Sequence, residues 1–263
     1  MDLELHGKKA FIGGSSRGLG FAAASILAGE GCAVTLNARG AEQLEQAAAE
    51  LRTAASGEVF TAQGDLADPE TPRSIISQAA ESMQGLDILI TNAGGPPAGK
   101  FESFSEETWQ HAVDLSFLSH VRLIKAALPY LRKSPAASVL TVTSYSVKQP
   151  IPNLVLSNSI RSATIGLTKT LALELGEEGI RFNSILPAYT ETERVMELMR
   201  HQAEEEGTSL AEQKETLTKS SPLGRMGTPE EFGRAAAFLV SPAASYITGV
   251  MLTVDGGMYK GTM

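Results

Sequence analysis

The chain of 263 residues is long enough for one α/β domain with a sizeable buried sheet. Its net charge of −8 and pI near 5.1 argue against a surface built for nucleic acid or for an anionic membrane. One cysteine, Cys32, excludes an internal disulfide and reads as a buried core thiol, and four scattered histidines (His6, His111, His120, His201) give no metal-ligand spacing.

No apolar run approaches the ~18 residues of a spanning helix, and the first residues lack the basic-then-apolar layout of a signal peptide, so a cytoplasmic protein is expected. Apolar β-type runs alternate with Ala/Leu/Glu-rich helical runs from one end to the other. Strands are expected at 10–13, 33–37, 59–63, 88–92, 138–143, 181–186 and 250–254, with long amphipathic runs between them at 41–54, 71–82 and 108–131. Strands that read as continuous apolar runs have helices over both faces. Alternation of this kind implies right-handed crossovers in an open parallel sheet. No repeat, linker or low-complexity tract divides the sequence, so a single domain over 1–263 is expected.

The first strand runs into Gly13-Gly14-Ser15-Ser16-Arg17-Gly18-Leu19-Gly20, ahead of a helical run at 21–28. Small residues between a strand and a helix let the backbone approach a pyrophosphate while the helix N–H groups face its charge. Gly14, Ser16, Arg17, Gly18, Leu19 and Gly20 are therefore candidate cofactor contacts; the plainer reading is a glycine turn that only opens a helix. The second strand ends Leu36-Asn37-Ala38-Arg39. An acidic residue there binds a ribose 2′-hydroxyl and a basic one accommodates a 2′-phosphate. Arg39 and Arg17, with no carboxylate expected nearby, favour NADP(H) over NAD(H). After the third strand, Asp65-Leu66 is placed to accept from an adenine amino group; the alternative is a helix N-cap arrangement with Asp68-Pro69. In Asn92-Ala93-Gly94, Asn92 can tie neighbouring strands and Gly94 admits a cofactor, while Trp109 reads as a core anchor.

These segments, with the helical stretch ATIGLTKTLALEL at 163–175 and the tail PLGRMGTPEE, AFLVSPAASYITG and VDGG, resemble the short-chain dehydrogenase/reductase family over essentially the whole chain, closest to the β-ketoacyl carrier-protein reductase type. The resemblance implies a Rossmann-like doubly wound sheet of about seven strands, a nicotinamide cofactor, and dimers or tetramers built on the last helices and strand. It also implies that Pro187, Ala188 and Thr190 lie at the nicotinamide, with Ala188 where the family has glycine.

The family catalyses with a serine after the fifth strand, a Tyr-x-x-x-Lys pair, and often a helix asparagine. Ser144 fits the serine, but the other positions are Ser157, Arg161 and Ser116. Ser157 and Arg161 stand one helical turn apart and share a face. Arg161 keeps the positive charge and can reach ribose hydroxyls, yet does not pass protons at neutral pH. A serine hydroxyl is a far weaker acid than a phenol of pKa about 10. Tyr145 and Tyr189 are the candidate surrogate acids, or else packed pocket tyrosines. The family's Tyr-x6-Lys enoyl-reductase arrangement is absent, whereas its dienoyl-CoA reductases resemble this chain in having serine at the tyrosine position but retain the lysine where this chain has Arg161.

A helical, charge-rich stretch at about 192–220 is expected to form a substrate lid, with Val195, Met196, Leu198 and Met199 either lining the pocket or packing the lid down. The function expected is NADP(H)-dependent oxidoreduction of a carbonyl or activated alkene with a non-standard proton donor. The alternative is a non-catalytic NADP-binding sensor or partner protein, with a non-redox reaction a distant third.

Overall fold

The computed structural model describes residues 2–262. In chain order the elements are β1 (Lys9–Ile12), α1 (Gly18–Gly29), β2 (Ala33–Ala38), α2 (Ala41–Ala54), β3 (Val59–Gln63), α3 (Thr71–Ser82), β4 (Ile88–Thr91), α4 (Glu106–Val113), α5 (Ser119–Leu131), β5 (Ser138–Val142), α6 (Val155–Glu174), β6 (Arg181–Pro187), α7 (Glu193–Glu206), α8 (Leu210–Ser220), α9 (Pro229–Val240) and β7 (Met251–Val254). The strands form one sheet in the order β3-β2-β1-β4-β5-β6-β7, every neighbouring pair parallel. Chain direction across the sheet reverses between β1 and β4, and ligands of such sheets bind at that switch point, beyond the carboxyl ends of the strands.

Helices cover both faces, which is why the strands are apolar on both. On one side α1, α2 and α9 pack Leu27, Ala48 and Phe232 onto Val34, Leu36 and Ile90. On the other α3, α5 and α6 pack Ile76, Ile124 and Ala172 onto Phe11, Leu89 and Phe182. β4 and β5 are buried along their whole length. Cys32 is fully buried, and burial pushes its thiol up to about 12. Among the described residues no helix is long and apolar enough to cross a membrane.

Three features differ from the expected pattern. The amphipathic run expected at 108–131 starts earlier, where Ser105 Oγ accepts from Thr108 N (3.3 Å), and is interrupted by a π-helical turn at Asp114–Leu118. The i+5 bonding is confined to that one turn, and the local residue types do not mark it. The helix quoted at 163–175 begins at Val155, which puts Ser157 and Arg161 in its first two turns. The stretch at 192–220 is two helices: Gly207 (φ +65°) ends α7 in the left-handed conformation, and a Ser209–Glu212 capping box starts α8.

Candidate active site

The glycine turn after β1 is a close-packed object. Gly14 (φ +53°) and Gly18 (φ +61°) are left-handed, a conformation that costs any other residue. A Cβ on Gly13 would stand 2.7 Å from Asn92 O, and one on Gly20 2.8 Å from Asn92 Nδ2. Asn92 Nδ2 donates to Gly13 O (3.2 Å) and Gly14 O (3.0 Å), so the expected tie joins the loop after β4 to this turn. Asn37 was not foreseen as a brace. Its Oδ1 accepts from Gly14 N (3.2 Å) and its Nδ2 donates to Ala62 O (2.9 Å) and Gly64 O (3.2 Å). Ser15 Oγ completes the frame, donating to Ile12 O (2.7 Å) and accepting from Asn37 N (2.9 Å). The available signal was a buried asparagine at the end of an apolar strand, which needs partners for three or four hydrogen bonds.

Two connected cavities open from this turn. The larger, about 610 Å³, is walled by Gly14, Ser16 and Arg17 on one side and Arg39, Asp65 and Leu66 on the other. The second, about 310 Å³, takes in Gly18, Leu19, Asn92, Pro187 and Ala188 together with Ser144, Ser157 and Arg161. Arg17, Ala93 and Gly94 belong to both. Gly20 lies behind the turn, and Thr190 borders a separate hollow beside Tyr189. The N-terminus of α1 has no side-chain cap and no acidic residue in its first turn. Its free N–H groups and the glycine cradle fit the diphosphate of a dinucleotide.

The arginines are not free of carboxylates, which corrects the expectation. Arg17 pairs with Glu193, and Arg39 Nη1 stands 3.9 Å from Asp65 Oδ2. The Arg17 partner comes from 176 residues away, beyond what local sequence shows. Both arginine side chains are well exposed, so the pairs are weak and a phosphate can displace the carboxylates. The two alternatives at the end of β3 fall on different residues. Asp68 accepts from Glu70 N (3.2 Å) and Thr71 Oγ1 (2.7 Å) and holds the start of α3, while Asp65 accepts from Ala67 N (3.0 Å) in the cavity wall.

The family model described as Enoyl-(Acyl carrier protein) reductase matches residues 14–259. The chain is 33% identical over 257 residues to dehydrogenase/reductase SDR family member 4 of Homo sapiens, covering 96% of this chain and 88% of that protein. It belongs to the short-chain dehydrogenase/reductase family. The 3-oxoacyl-[acyl-carrier-protein] reductase FabG of Vibrio cholerae is 30% identical over 98% of this chain and 99% of its own. Among solved structures, the L-sorbose reductase of Gluconobacter frateurii complexed with NADPH and L-sorbose superposes with a TM-score of 0.94 at 30% identity, covering 99% of this chain and all of that one. An NADPH-bound short chain oxidoreductase of Pseudomonas aeruginosa PAO1, described as containing an atypical catalytic center, gives 0.88 at 29% identity, with 97% and 98% covered.

Within this dehydrogenase/reductase frame the departures converge on one place. Ser144 follows β5, and its Oγ accepts from Ser146 N (3.1 Å), which leaves its own proton to donate elsewhere. Arg161 Nη1 donates to Val142 O and Thr143 O, both at 3.1 Å, clamping α6 to the end of β5. Burial, and secondarily Arg194, lowers its pKa to about 10, so it stays charged at neutral pH. Ser157 lines the same cleft. Tyr145 and Tyr189 stand outside that lining: their rings meet edge-to-face 6.2 Å apart, with Tyr145 packed on Leu186 and Met258. Burial pushes both phenols up, which makes them poorer acids. Val195 and Leu198 of α7 line the cleft, whereas Met199 is buried beneath the helix. Trp109 meets Phe101 edge-to-face at 6.2 Å and packs against a cluster built on Ala112, Leu156 and Ile160.

Behind Arg161 runs a buried polar seam that sequence reasoning missed. Ser116 Oγ, His120 Nε2 and Thr143 Oγ1 are buried without a protein partner. Thr164 Oγ1 donates to Ser116 O (3.2 Å), and His120 Nδ1 lies 2.6 Å from Thr91 Oγ1. Buried orphans of this kind are satisfied by ordered water. Burial, then the charge of Arg161, pulls His120 down to about 3, so the folded protein holds it neutral. The unfolded chain binds a proton near pH 6.5 that the folded one refuses, so stability falls as pH drops from about 6.5 towards 3. His120→Gln is expected to flatten that acid-side loss by on the order of 1 kcal/mol per pH unit, read from urea unfolding at pH 7.5 and 5. Parallel losses in the two proteins would contradict a neutral buried imidazole.

Proposed function

We propose that the chain is an NADP(H)-dependent oxidoreductase that reduces a carbonyl (3-oxoacyl-like or another ketone) or an activated alkene, using a proton donor other than tyrosine. What carries this reading is that Ser144, Ser157 and Arg161 line one cleft continuous with the glycine cradle. The NADPH bound to the sorbose reductase and to the Pseudomonas oxidoreductase supports the cofactor, as do Arg17 and Arg39 on the walls of the larger cavity. Bound NADPH would supply the hydride. The protein's own part is to donate a hydrogen bond from Ser144 to the substrate oxygen and to set the Arg161 charge against the negative charge growing there. The proton that completes the alcohol would come from a water admitted beside Ser157 in the cleft. Helices α7 and α8 form a lid whose Val195 and Leu198 keep bulk water from the reacting atoms.

The test is NADPH oxidation with ketones, β-ketoacyl thioesters and enoyl thioesters. Slow turnover on at least one class is expected, with NADPH preferred to NADH by ~10-fold or more and the preference lost in Arg39→Ala. Equal use of NADH would overturn the cofactor assignment. Tight NADPH binding without turnover would favour the second reading, a non-catalytic NADP-binding sensor or partner. One observation already leans that way: no tyrosine, lysine or histidine lines the cleft among the described residues.

A further inference from the structure

We infer that the substrate end of the cleft is an anion site, built to hold the carboxylate of a small oxo acid between Arg161 and Arg194. The inference rests on the oxidoreductase reading of the same cleft. The two guanidiniums come together around Gly95: a Cβ at that glycine would stand 3.7 Å from Arg161 Nη2 and 3.8 Å from both Nε and Nη2 of Arg194. Neither is neutralised there. Arg161 is nearly fully buried and spends Nη1 on two backbone carbonyls, not on a carboxylate. Arg194 is oriented by Pro96 O, to which Nη2 donates at 2.9 Å, and its Nη1 has only the half-exposed Glu197 at 3.7 Å.

The charged residues of the cleft lining are Arg17, Arg161, Glu193 and Arg194, and the one carboxylate among them is paired to Arg17. Two like charges, one of them desolvated, repel each other unless an anion joins them. A chain of net charge −8 that keeps such a pair at a substrate cleft has a use for it. A planar carboxylate matches the donor fork of a guanidinium and can take both. Leu154, Val195 and Leu198 make part of the wall apolar, beside the hydroxyls of Ser144 and Ser157, and the cavity of about 310 Å³ is small. A short oxo acid has the right size and polarity.

The rival source of an anion is the cofactor diphosphate, and the test separates the two. NADPH oxidation is compared for acetoacetate against methyl acetoacetate and for 4-oxopentanoate against its methyl ester. Binding of the two acids to NADPH-loaded protein is measured by calorimetry, independently of turnover. The native protein is expected to favour each acid over its ester by at least 10-fold. Arg194→Gln should erase that preference and Arg194→Lys restore part of it, with NADPH affinity unchanged; Arg194 lies on the exposed side of α7, so both variants should fold. Acids no better than esters, absence of acid binding, or weakened NADPH binding in Arg194→Gln would each overturn the inference. Arg194-dependent acid binding without turnover would leave the anion site standing and count against the reductase reading. Turnover on neutral ketones with no acid preference would do the reverse.

Discussion

Gly20→Ala is expected to raise the NADPH dissociation constant at least ~100-fold and to cost about 1–3 kcal/mol of stability, the range for forcing a methyl into a packed site. The added Cβ would overlap Gly14 O and stand 2.8 Å from Asn92 Nδ2. Neither neighbour can yield cheaply, because that carbonyl accepts from that same amide at 3.0 Å and Gly14 N is held by Asn37 Oδ1 at 3.2 Å. Relief must come from moving the start of α1 away from the turn, which misaligns the N–H groups facing the diphosphate. Gly166→Ala is the control. It lies inside α6 with nothing within 4 Å of the built Cβ, so it should stabilise by about 0.5–1 kcal/mol and leave NADPH binding untouched. Fluorescence titration of NADPH into the three proteins decides the matter. Binding in Gly20→Ala within a few-fold of native would sink the pyrophosphate assignment.

What the sequence revealed and what it hid divide along the range of the interactions involved. Strand positions and the parallel sheet were legible because continuous apolar runs record burial on both faces, as in β4 and β5. The glycine turn was legible because φ values such as +53° at Gly14 leave few alternatives to glycine. Hidden were the features made by residues distant in the chain. Glu193 meeting Arg17, and Arg194 meeting Arg161 around Gly95, depend on where α7 lies over the cleft, which no local pattern encodes. Tyr145 and Tyr189 follow the carboxyl ends of neighbouring strands, so strand position alone could not say that they would pack on each other rather than into the cleft. The orphaned atoms of Ser116, His120 and Thr143 belong to the π-helical turn, α5 and the segment after β5, and their shared burial appears only once those elements are packed.

The double variant Ser157→Tyr/Arg161→Lys is expected to raise ketone reduction by 10²–10⁴-fold, the usual worth of a positioned general acid. Positions 157 and 161 occupy successive turns of α6 and both line the cleft with Ser144, so a phenol at 157 would reach the same space that Ser144 borders. The lysine replaces the Nη1 bonds to Val142 O and Thr143 O with ammonium donors and leaves a charge beside the phenol, which lowers its pKa from about 10. Reduction needs the protonated phenol, so the gain should hold at neutral pH and disappear as pH rises through the phenol pKa. The native protein has no cleft phenol, so its rate should hold until the Arg161 charge itself is lost near pH 10. The measurement is the pH profile of kcat/KM on methyl acetoacetate, whose ester removes any contribution from the anion site. A rate gain with a new alkaline limb assigns the missing chemistry to position 157. A double variant no faster than a vigorously active native protein would mean that the proton already arrives efficiently from a donor other than a phenol at 157.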